Sequence, residues 1–186
     1  MALRANASLK EVAIVVGDAL RRHGIHAVLT GGACASIYTG GRYSSVDADF
    51  VLAGETKRAQ LDAAMASLGF VRERDRYVHP SLAFFVEFPR GPLAIGADHR
   101  VRPVQLTSRG KRALALSPTD SCRDRLAAFY HWDDLQSLDV AAQIATRHRL
   151  KWTVMRAWSD AEGSLEKFEE FRRAVVRRRH HQRRSS

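Results

Sequence analysis

The chain has 186 residues, of which 45% are apolar, 8% aromatic and 27% charged. That is one domain, or one domain with a small appendage, and it excludes a chain disordered throughout. The net charge of +10 is lopsided: the seven arginines between Arg172 and Arg184 supply seven of those charges, and no acid follows Glu170. A tail of this kind fits a polyanionic partner such as nucleic acid as well as it fits a solvated helix end. Arginine outnumbers lysine 25 to 5, a bias that a GC-rich genome also produces. No apolar run approaches the ~20 residues of a membrane span. Met1–Asn6 lacks the apolar core of a signal peptide, so the expectation is a cytoplasmic protein with no membrane partner.

In chain order, Ser8-Leu9-Lys10-Glu11 is a capping box, and Leu9, Val12, Ala13, Val16, Ala19 and Leu20 follow helical spacing up to a stop at Gly24. Ala27-Val28-Leu29 is a short buried strand, broken by Gly31-Gly32. Ala33–Tyr38 is a helical turn or short helix, and Gly40-Gly41 opens a loop. Val46–Leu52 alternates, with Val46, Ala48, Phe50 and Leu52 on one face and Asp47, Asp49 and Val51 on the other.

A helix over about 56–68 carries Leu61, Ala64, Met65 and Leu68 and ends at Gly69. Strands are expected at Tyr77–His79, Ala83–Phe88, Val104–Leu106 and Ala113–Leu116, with turns at Pro89–Pro92 and Ser108–Lys111. After Ser117-Pro118 the pattern is helical, with Thr119 or Asp120 capping a helix to about Tyr130. Leu135, Leu138, Ala142 and Ala145 form one later stripe, Trp152, Met155 and Trp158 a second, and Leu165, Phe168, Phe171 and Val175 a third.

Asp47 and Asp49 are the sharpest chemical feature. Residues two apart on a strand point the same way, about 7 Å apart along the chain. Paired carboxylates beside apolar neighbours call for a positive partner, and a hard divalent cation such as Mg²⁺ takes oxygen ligands of this kind together with substrate phosphates. The exposed face of a half-buried strand produces the same alternation. Gly31-Gly32, between a strand and a helical turn, offers backbone N–H groups to a phosphate. Gly40–Ser45 adds Arg42 and hydroxyls just before the acidic strand. Glu87 interrupts the apolar run 83–88, either as a third carboxylate or as an edge-strand residue in water.

Leu29-Thr30-Gly31-Gly32, followed about fourteen residues later by Val46-Asp47-Ala48-Asp49-Phe50, resembles the nucleotidyltransferase superfamily, the DNA polymerase β-like fold. Ser117–Asp134 resembles the helical part of bacterial nucleotidyltransferase-like proteins of the abortive-infection and toxin–antitoxin type. The resemblance implies an α+β core over residues 1–116 and a helical region with a basic tail over residues 117–186. It makes Asp47, Asp49 and Glu87 the catalytic and metal-binding acids. Mg²⁺ is the implied cofactor, with Mn²⁺ as its alternative.

The resemblance further implies nucleotide contacts from Gly31, Gly32, Ser36, Arg42 and Ser45, from Arg125 where relatives carry a Lys, and from a later acid at Asp133 or Asp134. The Arg-for-Lys exchange puts the nucleotide preference in question, since Arg reads phosphate bidentately. The implied activity is transfer of a nucleoside monophosphate from a nucleoside triphosphate to a hydroxyl of tRNA or other RNA, of a cognate protein, or of a small molecule such as an aminoglycoside. The alternative is a catalytically inactive module of this fold that binds RNA or a partner protein. His131–Asp134 is more simply helix-surface polarity than a metal cluster, Trp152 and Trp158 more simply packing than base-stacking platforms, and neither cysteine has a His–Asp arrangement nearby in sequence.

Overall fold

Helix α1, Leu9–Arg22, begins where Ser8 caps the Glu11 N–H and the Glu11 carboxylate reaches back to Ser8 N, and Gly24 turns left-handed just beyond its end. Its apolar face lies on the sheet. Gly17 is what lets it approach, since a Cβ there would stand 2.5 Å from that of Ala113. These features belong to a computed structural model that describes residues 3–184, the side chain of Arg184 excepted. Met1 and Ala2, the start of the segment examined for a signal core, lie outside the described residues.

The sheet has seven strands: β1 (Ala27–Leu29), β2 (Asp47–Leu52), β3 (Val71–Glu73), β4 (Arg76–Val78), β5 (Phe85–Glu87), β6 (Val104–Ser108) and β7 (Lys111–Ala115). Their spatial order is β3-β4-β5-β2-β1-β7-β6. β1 runs parallel to β7 and β2 parallel to β5; the other neighbours are antiparallel. β2 is therefore central, which the alternation alone does not say. Ala48 and Phe50 are fully buried on its core face, while Val46 lies just outside the strand and is 61% exposed, so the expected apolar face begins two residues later.

Helix α2 (Gly31–Thr39) follows β1 and packs against β2; α3 (Arg58–Ala66) follows β2 and lies by β3. Strand β3 was not legible in the sequence: all three of its side chains are exposed, so it carries no alternation. β5 is shorter than expected and interior rather than at an edge. The β6–β7 hairpin closes on Arg109 and Gly110, both at positive φ, the geometry of a two-residue hairpin turn.

Four helices follow: α4 (Pro118–Trp132), α5 (Leu135–Arg147), α6 (Trp152–Ala161) and α7 (Leu165–Arg184). The cap of α4 is Ser117, not Thr119 or Asp120. Ser117 Oγ accepts from the Asp120 N–H at 3.1 Å and donates to its carboxylate at 2.7 Å, with Pro118 at the first helical position, where its missing N–H costs nothing. Leu135 is 66% exposed because it sits in the first turn of α5, before the stripe Leu138, Ala142, Ala145 turns inward. α2 packs against α4 and α5, and one cluster of buried side chains runs from Leu9 to Val175.

Trp158 stacks on Tyr130 at 5.3 Å and donates to the Ile95 carbonyl at 3.1 Å; Trp152 stacks on Phe171 at 5.8 Å. Both tryptophans serve packing. Beneath Trp158 lies Arg123, whose side chain is 2% exposed. It holds Asp120 at 2.9 Å and Asp98 at 2.6 Å, tying the loop before β6 to α4.

Candidate active site

The sheet register assembles the site. Parallel pairing sets Asp49 opposite Glu87 and Asp47 opposite Phe85, so both β2 carboxylates and the β5 carboxylate emerge on one face, with Ala48 and Val86 on the other. Each of the three residues offers an oxygen within 4.8 Å of the others, and all are half-buried. Among the described residues this is the one cluster of acids, histidines or cysteines that could hold a metal ion.

Three converging carboxylates repel one another. Burial, then the charges of Asp47, Glu87 and Asp124, push the Asp49 carboxyl up to about 6, with Arg125 pulling the other way. Asp47 takes a short hydrogen bond from the Ser45 hydroxyl. A hard divalent cation would neutralise the cluster, and an all-oxygen donor set matches Mg²⁺ or Mn²⁺.

The neighbouring backbone is shaped to these acids. Gly31, at φ +61°, packs directly under Asp49, where a Cβ would collide with Oδ2. A Cβ on Gly32 would stand 2.5 Å from Ser45 Oγ and 3.4 Å from the Tyr43 hydroxyl. Thr30, at the N-cap of α2, makes no side-chain cap; its N–H is spent on the Asp49 carbonyl at 2.9 Å. The first N–H groups of α2 thus have no side-chain acceptor from their cap, and Gly31 and Gly32 at this helix start lie against Asp49 and Ser45.

Gly32, Tyr43, Ser44, Ser45, Asp47, Asp49 and Arg125 line a cleft of about 360 Å³. Arg125 comes from α4 and is aimed by Asp124, which accepts from its Nε at 3.2 Å and its Nη2 at 2.7 Å. The candidate residues Gly31, Gly32, Ser45, Asp47, Asp49, Glu87 and Arg125 thus come together. Three others are placed elsewhere. Ser36 is buried on α2 and does not line the cleft. Arg42 faces a groove between α5 and α7. Asp134 caps α5, accepting from Ser137 N at 3.1 Å and Ser137 Oγ at 2.7 Å, and acts on Arg125 only through its charge.

Asp133 is likewise engaged with Lys167 at 2.6 Å, and His131 with Glu162 at 3.3 Å. Tyr43 lies in the Gly40–Ser45 hydroxyl segment read from the sequence, whereas Asp124 was not singled out; it sits one residue before Arg125, in a helix whose orientation no local pattern reveals. Cys34 and Cys122 are buried, and burial raises both thiols, Cys34 to about 12, so neither is a nucleophile.

This mixed sheet flanked by helices has the fold that the sequence resemblance implies. Solved structures agree. An antigenic nucleotidyltransferase-like protein from Paracoccidioides brasiliensis superposes with a TM-score of 0.55 at 17% identity, over 76% of this chain and 77% of its own. The antibiotic-resistance factor ANT(2'')-Ia superposes with a TM-score of 0.52 at 14% identity, over 94% of this chain and 97% of its own. No family model matches the sequence, and no curated protein sequence does.

Proposed function

We propose that this protein is a metal-dependent nucleotidyltransferase that moves a nucleoside monophosphate from a nucleoside triphosphate to an acceptor hydroxyl. The observation that carries this reading is the convergence of Asp47, Asp49 and Glu87 within 4.8 Å beside the N-terminus of α2, which has no side-chain cap. The likeness of fold to a nucleotidyltransferase-like protein and to ANT(2'')-Ia supports it.

In this reading the phosphates lie along Gly32, Ser45 and Arg125, and the metal is held by Asp47, Asp49 and Glu87. Bound there, Mg²⁺ would supply charge neutralisation for the phosphates and the leaving group. The acceptor oxygen forms a bond to the α-phosphorus, the bond from that phosphorus to the bridging oxygen breaks, and pyrophosphate leaves with the electron pair. The acceptor proton goes to a carboxylate of the cluster, and in this reading Glu87 takes it. Arg125, held rigid by Asp124, offers a fixed cation to the departing charge.

The test is to incubate the protein with Mg²⁺ and each of four α-labelled ribonucleoside triphosphates, with total RNA and soluble lysate as acceptors. Labelled RNA would mark an RNA-modifying enzyme, and a labelled protein band a protein-modifying one. Asp47→Asn should cut transfer by at least about 100-fold with the fold intact. A wild-type rate in that variant refutes the metal assignment. Mg²⁺-dependent nucleotide binding without transfer to any acceptor would leave the inactive binding module as the reading.

A further inference from the structure

A larger concavity, of about 910 Å³, lies beside the cleft between α5 and α7. Its charged lining is Arg42 from the loop after α2, Asp139 from α5, and Arg177, Arg178 and His181 from α7. The single acid is already engaged, since Asp139 accepts from Arg178 and from Gln143 at 2.9 Å. Arg42 and Arg177 have no hydrogen-bond or ion-pair partner among the described residues. Arg147 of α5 adds a further cation at the base of the same loop, 3.2 Å from where a Cβ on Gly40 would stand.

The groove is a consequence of packing rather than of the tail's composition alone. The apolar line Phe168, Phe171, Val175 docks α7 into the core, and Arg179 reaches the Ala145 carbonyl at 3.4 Å, so Arg177 and Arg178 are held facing a loop more than 130 residues away in sequence. Cations from two remote segments thereby converge on one concave surface, which concentrates their field. The loop also joins the two sites, because Arg42 faces the groove while Tyr43, Ser44 and Ser45 line the cleft.

We propose that the α5–α7 groove binds the phosphates of an RNA acceptor and leads its 3′ end across residues 42–45 to Asp47 and Asp49. This deepens the nucleotidyl-transfer reading and rests on it. Charge selects the class: a polycationic acceptor would be repelled here, a polyanion drawn in. RNA is the polyanion that brings both phosphates for the groove and vicinal ribose hydroxyls for the cleft. Among the described residues no Phe, Tyr or Trp lines the groove and its cations dominate, so recognition runs chiefly through the phosphate backbone rather than base sequence.

The test is fluorescence anisotropy of the full chain with a 5′-labelled RNA hairpin carrying a single-stranded 3′ overhang, without nucleotide, over a salt series. Each phosphate contact on a single strand contributes a slope of about −0.7 in log K against log salt. Arg177→Gln/Arg178→Gln should therefore flatten the slope by about 1.4 and weaken binding about tenfold at 100 mM salt. Arg156→Gln/Arg172→Gln removes the same charge from the separate α6–α7 groove and should leave affinity within about twofold.

Equal losses in the two variants, no RNA binding at 50 mM salt, a matched DNA hairpin bound tenfold more tightly, or equal displacement by polyglutamate would each overturn the proposal. Binding is read without transfer, so a failed RNA arm leaves the nucleotidyl-transfer reading standing. Groove-dependent RNA binding in a protein that never transfers label would refute the transfer reading and the acceptor role with it, leaving only the groove's phosphate binding.

Discussion

Gly31→Ala separates the cost of a backbone conformation from the cost to the site. At φ +61° an alanine pays about 1 kcal/mol for the left-handed region, which for a chain of this length lowers Tm by about 2–4 °C. The new methyl also falls on Asp49 Oδ2, and the carboxylate must withdraw by about 1 Å to regain ordinary van der Waals contact. Asp49 is a short side chain on a cleft wall, so the fold absorbs this by turning it, and the damage falls on the metal cluster. A misplacement of that size costs about 100-fold in rate.

Gly110→Ala is the matched control. Its φ is +75° and nothing lies within 4 Å of its would-be Cβ, so it carries the backbone penalty without the collision. Both variants should lose similar Tm by differential scanning calorimetry, while only Gly31→Ala loses Mg²⁺-nucleotide affinity by titration calorimetry and label transfer. A Gly31→Ala protein transferring at the wild-type rate would refute the role given to this contact, as would an equal activity loss in Gly110→Ala.

Two further outcomes follow from buried charge. The Asp49 carboxyl, raised to about 6 from an unfolded value near 3.8, binds its proton more tightly in the folded chain, so without metal its contribution falls as pH rises between those values. Metal-free Asp49→Asn should therefore melt higher than wild type at pH 7–8, with the gain vanishing toward pH 4; no gain at pH 8 would refute the crowding. Arg123→Met strips Asp98 and Asp120 of their buried cation and should cost roughly 3–5 kcal/mol, about 10 °C in Tm at pH 7.

Asp98 is held well below the usual carboxylate range by the Arg100 N–H, against the cost of burial, and then by the Arg100 and Arg123 guanidinium groups. Its contribution is full above about pH 4 and is lost only as pH falls through its depressed folded value, so the Arg123→Met deficit should hold to about pH 3 and shrink in stronger acid; a deficit already gone at pH 4 would refute the assignment to Asp98.

Local sequence determined the elements whose signals are local. The Ser8–Glu11 capping box, the alternation around Asp47 and Asp49 and most of the helical stripes were legible because caps and periodicities of 2 and 3.6 act over a few neighbouring residues; Val46 and Leu135 are exposed at element ends, and α2 begins at Gly31 rather than Ala33. Both aspartates on one face were legible for the same reason. Tertiary structure alone decided that β2 is central, that β5 pairs with it in the register joining Glu87 to Asp49, and that α4 delivers Arg125 with Asp124 behind it.

The same distinction explains the displaced residues. Arg42 lies three residues before Ser45, yet faces a different concavity, because the loop turns it toward α7. Asp134 has the residue type of a ligand but is consumed as a helix cap. β3, exposed on all its side chains, is held by backbone pairing with β4 and by the Arg72–Asp62 ion pair to α3 at 3.1 Å, neither of which leaves an alternating side-chain pattern. Which helices face which strands is set by burial summed over the whole chain, and no window of sequence contains that sum.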